Sequence, residues 1–121
     1  MTQKEAVRHF NENLFNDNDK AFSVVAEDAT MEWPGWSAEP LRGRDAVRKF
    51  LEETGPERMI SLDLLGLVEE GSEVIGHGTC VTERKGKSEK CFFADCYTFR
   101  DGKIAQVVSY MVMEPNKENN A

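Results

Sequence analysis

The sequence predicts an α+β fold in which N-terminal helices pack on a curved antiparallel β-sheet and enclose a pocket. Three observations carry this expectation. Apolar residues up to Leu51 recur mainly at helical spacing; residues 59–114 divide into four strand-like segments; and Gly66, Gly76 and Gly78 lie inside those segments. The segments are separated by Glu70-Gly71-Ser72, Lys85-Gly86-Lys87 and Asp101-Gly102. Connections this short force antiparallel pairing, because a parallel crossover needs about a dozen residues or more. Helices that precede a run of strands gather on one face of the sheet. Glycine within a strand marks a bulge, a bend or the close approach of another backbone, and a bent sheet leaves a concave side.

Each element follows from its pattern. Val7, Phe10 and Leu14 fall on one helical face, with Ala6 beside them and Lys4, Arg8, Asn11 and Glu12 opposite, which predicts a first amphipathic helix. The Asn16-Asp17-Asn18-Asp19 cluster supplies a turn and an N-cap for a second helix carrying Ala21, Phe22, Val24 and Val25 and stopping near Glu27-Asp28. Ala29, Met31 and Trp33 alternate with Thr30 and Glu32, the period of a strand with one covered face, ended by Pro34-Gly35. Ala46, Val47, Phe50 and Leu51 mark a third helix, with Asp45 as its N-cap and Thr54-Gly55-Pro56 as its close. The four later strands read MISLDLLGLVEE, EVIGHGTCVTER, SEKCFFADCYTFR and KIAQVVSYMVME. Residues 1–114 thus form one domain, followed by a polar tail, 115–121, without an apolar anchor and expected to be disordered.

Composition narrows the partners. The 121 residues carry 15 Lys+Arg against 22 Asp+Glu, a formal net charge of -7 that opposes binding to nucleic acid or to anionic membranes. No apolar run approaches the ~20 residues of a membrane span, and the N-terminus lacks the apolar region of a signal peptide. Cys80, Cys91 and Cys96 form an odd set without metal-ligand spacing, which fits reduced thiols in the cytoplasm and predicts neither metal nor cofactor. They read as small core hydrophobes.

The strings AEDATMEWPG, LRGRDAVRKF and ADCYTFRDGKIAQVVSYM, in this order, resemble the NTF2-like superfamily and, within it, SnoaL-like and ketosteroid isomerase-like proteins. The resemblance spans nearly the whole chain and implies a cone-shaped α+β fold, an internal cavity and a homodimer formed through the outer face of the sheet. It places Asp95 where ketosteroid isomerases keep a protonated aspartate in the oxyanion hole. The position of their general base is Trp33, and the position of their helix tyrosine is Phe10 or, one register away, His9. Limonene epoxide hydrolase, another relative, has an acid where this chain has Val112 and an Arg-x-Asp pair on a strand that here reads GHGTCVTE. A SnoaL-like role with a single cavity aspartate, Asp95, stays open.

The residues themselves give the same leading candidate. Alternation along SEKCFFADCYTFR puts Cys91, Phe93, Asp95, Tyr97 and Phe99 on one face, so Asp95 stands among aromatics. A carboxylate so placed must be protonated, paired or wetted within a cavity, because burying it unpaired is costly. Two uses remain open: acid chemistry with a raised pKa, or a structural carboxyl bonded to backbone, Tyr110 or His77. His77 is the second catalytic candidate, against a hydrogen-bonded structural role. Phe10, Trp33, Phe93, Tyr97 and Tyr110 are the expected cavity lining, Trp36 a rim residue or loop anchor, and His9 a solvated neighbour of the first helix's apolar stripe. The basic hairpin tip of Arg84, Lys85, Lys87 and Lys90 reads as solvated. Phe92, Ala94 and Cys96, with Val108, Tyr110 and Val112 or their alternates, leave an apolar outer face for a second copy to cover. The expected occupant of the pocket is a small, largely apolar molecule, bound by a carrier or acted on by proton transfer; a module whose main purpose is dimerisation is the third reading.

Overall fold

In the computed structural model, residues 1–36 and 38–115 are described. Most of the expected polar tail, 116–121, therefore lies outside the described residues. Three helices, α1 (Gln3–Asn13), α2 (Asn18–Phe22) and α3 (Arg44–Thr54), accompany six strands: β1 (Val25–Glu32), β2 (Leu41–Arg42), β3 (Arg58–Glu70), β4 (Glu73–Arg84), β5 (Lys87–Arg100) and β6 (Lys103–Met113). The strands form one open sheet in the order β2-β1-β6-β5-β4-β3. The α+β expectation holds, with the helices on one face and the core of Val7, Phe10, Phe22, Val74, Tyr97 and Ile104 between them and the sheet.

Local chemistry explains the helix ends. Thr2 and Glu5 form a capping box, the Glu5 backbone N–H donating to Thr2 Oγ1 at 3.1 Å and the Thr2 N–H to Glu5 Oε1 at 2.9 Å. Asp17, from the expected turn cluster, caps α2. Helix α2 is shorter than its apolar pattern implied. Val24 and Val25 leave it because Val24 C=O accepts from the Ile104 N–H at 2.9 Å and Val25 pairs with Ile104, so that Val24 leads into β1 and Val25 begins it. Branching at Cβ favours that extended state. Asp45 does not cap α3 either: Gly43, with φ 99°, takes the N-cap position and Asp45 lies in the first turn, where its charge complements the helix dipole.

The four-strand meander is antiparallel throughout, as expected. Strand β1, however, joins it parallel to β6, and the unforeseen β2 pairs with β1 through Thr30↔Arg42 and Met31↔Leu41. The internal glycines mark the bend. The β3–β4 register shifts between Leu64 and Gly66, and a Cβ placed on Gly78 would run into the backbone carbonyl of Asp63. Gly66 makes room for the His77 ring, whose Nε2 would lie 2.7 Å from a Cβ there. The two central turn residues of the β4–β5 hairpin, Lys85 and Gly86, both have positive φ, the signature of a type I′ turn.

The bend gives a direct expectation. Gly78→Ala forces backbone apart and destabilises the protein by about 1–3 kcal/mol, the usual cost of overpacking, measured as a lower urea midpoint at unchanged slope.

Candidate functional site

The volume between helices and sheet is divided into a packed end and a hollow end. At the packed end, α1 lowers Val7 and Phe10 onto the sheet, and Phe10 meets Phe22 and Tyr97 edge-on at centroid distances of 5.6 and 6.3 Å. At the other end, a cavity of about 510 Å³ opens beneath α3. Phe50, Leu51 and Thr54 of α3 form part of its wall, opposite Cys80, Thr82 and Arg84 of β4, Glu89 and Cys91 of β5, and Ser109, Met111 and Met113 of β6. Met31, Trp33, Trp36 and Phe15 complete much of the enclosure. The Trp33 and Phe50 rings pack at 5.3 Å, and the half-exposed Trp36 stands at the rim.

Asp95 sits at the boundary between the two ends. Its cross-strand partners are Gly76 on β4 and Ser109 on β6, and Ser109 faces the cavity. A chain of hydrogen bonds reaches the carboxyl from the packed side. Asn11 Nδ2 donates to Val7 C=O at 2.8 Å and to the Tyr97 hydroxyl at 2.9 Å, and that hydroxyl donates to Asp95 Oδ2 at 3.3 Å. Asp95 Oδ1 is enclosed and has no hydrogen-bond partner among the described residues, although the residue as a whole keeps some exposure. Desolvation raises the Asp95 pKa from the ordinary 3.8 to about 6, against smaller opposing effects of Ser109 and Tyr97. Tyr97, fully buried, is itself pushed well above the usual phenol range, chiefly by desolvation and then by the nearby Asp95 charge.

Of the expected lining residues, Trp33 lines the cavity. Phe10 and Tyr97 belong to the packed core, and Phe93, though on the inner face, is not part of the cavity wall. Tyr110 is half-exposed on the outer face, paired with Ala94, and so cannot line the hollow. His77 is also exposed on the outer face, over Gly66 and away from Asp95, which removes it both as a catalytic candidate at this cavity and as a structural partner of that carboxyl. His9 is not simply solvated: its Nε2 lies 2.9 Å from Lys20 C=O and ties α1 to α2. Arg84 turns inward from the hairpin tip, donating from Nε to Glu89 at 2.9 Å and from a terminal nitrogen to Thr54 C=O at 2.7 Å and Gly55 C=O at 3.3 Å. It thereby satisfies carbonyls at the C-terminal end of α3 and contributes to the wall. Cys80 and Cys91, expected as core hydrophobes, are wall residues, and Met31, Met111 and Met113 join them in the wall.

Residues 4–107 match the family model described as a SnoaL-like domain. The chain belongs to the SnoaL-like family. The resemblance seen in its three strings is thus shown, along with the NTF2-like fold. No curated protein matches this SnoaL-like chain. Among solved structures it is similar to an epoxide hydrolase of M. tuberculosis described as LEH-like, at 18% identity and TM-score 0.76, with 89% of this chain and 80% of that one covered. An NTF2-like protein of unknown function from Burkholderia pseudomallei is 19% identical with TM-score 0.77, covering 93% and 92% of the two chains. A ketosteroid isomerase-like fold from Catenulispora acidiphila, in complex with trimethylamine, is 17% identical with TM-score 0.75, covering 90% and 86%. These likenesses establish the fold and leave the chemistry to the site.

Two outcomes follow from the carboxyl's surroundings. Because the folded-state pKa is raised, the native protein binds more protons than the unfolded chain between about pH 4 and 6, so stability falls as pH rises through that window. Asp95→Asn removes this loss, worth roughly 3 kcal/mol at about 1.4 kcal/mol per pH unit; urea titrations at pH 4 and pH 7.5 then differ less in the variant than in the parent. Tyr97→Phe deletes a donor to the carboxylate and moves the Asp95 pKa upward from about 6, read by carboxyl-carbon NMR titration.

Proposed function

We propose that the protein binds a small, largely apolar molecule bearing one oxygen acceptor in the cavity beneath α3, and that Asp95 serves this molecule as a proton donor and acceptor through Ser109. The observation that carries this reading is the pairing of an aromatic- and sulfur-walled hollow of about 510 Å³ with a desolvated carboxyl directly across the ladder from a cavity-facing hydroxyl. Apolar walls supply affinity by area removed from water. Below about pH 6 the carboxyl is protonated and able to donate; above it, it is a base held in a poorly solvated place. A pKa in this range suits exchange of a proton at a carbon next to a carbonyl. Pure carriage of the ligand, without chemistry, is the alternative, and it is favoured by the position of Asp95 behind Ser109 instead of at the cavity surface.

The two readings separate by experiment. The neutral fluorophore N-phenyl-1-naphthylamine binds the parent protein; Trp33→Ala weakens binding about tenfold or more, the loss expected for one buried aromatic, whereas Leu65→Ser on the outer face leaves it unchanged. Cyclic ketones are then incubated with the protein in deuterated water and followed by NMR. Exchange of the hydrogens beside the carbonyl, reduced about a hundredfold or more in Asp95→Asn with probe binding intact, supports proton transfer. Exchange equal in parent and Asp95→Asn removes Asp95 from the chemistry and leaves carriage.

We further infer that a second copy covers the outer sheet face, where Phe92 and Val112 are cross-strand neighbours and Tyr110 and Ile75 are also exposed. Val112→Glu then shifts the protein from dimer to monomer in sedimentation. Three free thiols support placing the protein in the reducing cytoplasm, and no helix among the described residues is long and apolar enough to cross a membrane.

A further inference from the structure

We propose that the cavity wall carries a site for a soft monovalent cation of the copper(I) and silver(I) class, held by Cys80 and Cys91 with the Met113 thioether. The strand register brings these residues together. Cys80 pairs with Cys91, and Cys91 pairs on its other side with Met113, so three sulfur side chains form one rung across β4, β5 and β6. All three face the cavity, and Met31 and Met111 add thioethers to the same wall.

The spacing favours a bridging ion over a direct bond. The two-residue turn at Lys85-Gly86 closes on the Arg84↔Lys87 pair, and counting back by twos makes Thr82↔Glu89 and Cys80↔Cys91 hydrogen-bonded pairs of the ladder. Cα atoms in such pairs stand about 5.5 Å apart with their side chains side by side. A relaxed disulfide needs its Cβ atoms at ~3.8 Å, closer than parallel side chains from such a pair bring them. An ion between the sulfurs spans the difference with two metal–sulfur bonds. The Cys91 thiol already donates a hydrogen bond, to the Phe92 C=O at 3.4 Å. A bound cation displaces both thiol protons to solvent and takes the place of that hydrogen bond.

Donor type sets the class of ion. Thiolate and thioether sulfurs select soft cations, and carboxylates and carbonyls select hard ones. Among the described residues no group of three His, Cys, Asp or Glu side chains forms a harder site. Of the nearby charged groups on this wall, Glu89 is paired with Arg84. The third cysteine, Cys96, points to the opposite face of β5 and provides an internal control.

The full chain, reduced and kept free of oxygen, is titrated with silver nitrate and followed by native mass spectrometry. One silver ion per chain is expected, lost in Cys80→Ser and in Cys91→Ser, weakened at least roughly tenfold in Met113→Leu, and unaffected by Cys96→Ser. The unmodified protein gives a second reading that needs no variant to fold. One equivalent of silver protects Cys80 and Cys91 from N-ethylmaleimide and leaves Cys96 reactive. Retention of silver by Cys80→Ser or Cys91→Ser, unchanged affinity in Met113→Leu, or protection of Cys96 in place of the pair overturns the proposal.

Discussion

The hydrogen-bonded chain from Val7 C=O through Asn11 and Tyr97 to Asp95 joins the first helix to the floor of the sheet, and the division of the interior follows from it. A buried phenol must place its hydroxyl, and Tyr97 does so between an amide that donates and a carboxyl that accepts. That fixes α1 over Tyr97 and fills the space there with Val7 and Phe10. Helix α3, held instead against β1 and β2, spans the remaining half without filling it. The carboxyl stands at the dividing line. On one side it meets the cavity and on the other the core, so one oxygen is bonded on the packed side and the other has no partner among the described residues.

Much of this was legible in order and period. The meander, its turns and the inward phase of β5 follow from two-residue alternation, and that phase alone placed Asp95 among apolar neighbours. Strand β4 shows why the same logic failed for His77. Its inward positions include Gly76 and Gly78, which carry no side chain, while Ile75 and Val81 lie on the outer face. The apolar signal is therefore inverted, and His77 looks inward-facing with Ile75 when both are exposed. Tyr110 fails for a related reason: the outer face of β6 is itself apolar, so hydrophobicity could not choose between its two sides. Val24 and Val25 fit a helix or a strand equally well until Ile104 supplies a ladder partner.

The cavity wall was less legible because its composition depends on cross-strand register and on which helix covers which strand. Cysteines 11 positions apart in sequence become immediate neighbours only once the Lys85-Gly86 turn is closed. Arg84 looks like a hairpin-tip charge from its neighbours in sequence. The carbonyls of Thr54 and Gly55 turn it inward, and those become visible only when α3 is docked. Residue type alone thus located the acid and one aromatic liner, Trp33, but not the volume they serve.

The sheet's long edge is β3, 13 residues long, with a neighbouring strand on one flank only and the Asn16 side chain bonded to Met59 near its start. Such a strand is a template on which another chain could polymerise. The register break between Leu64 and Gly66 interrupts its hydrogen-bonding comb, and exposed Asp63, Glu69 and Glu70 put negative charge along it. The irregularity that helps bend the sheet over its hollow therefore also guards the molecule against fibrillar growth from its free border.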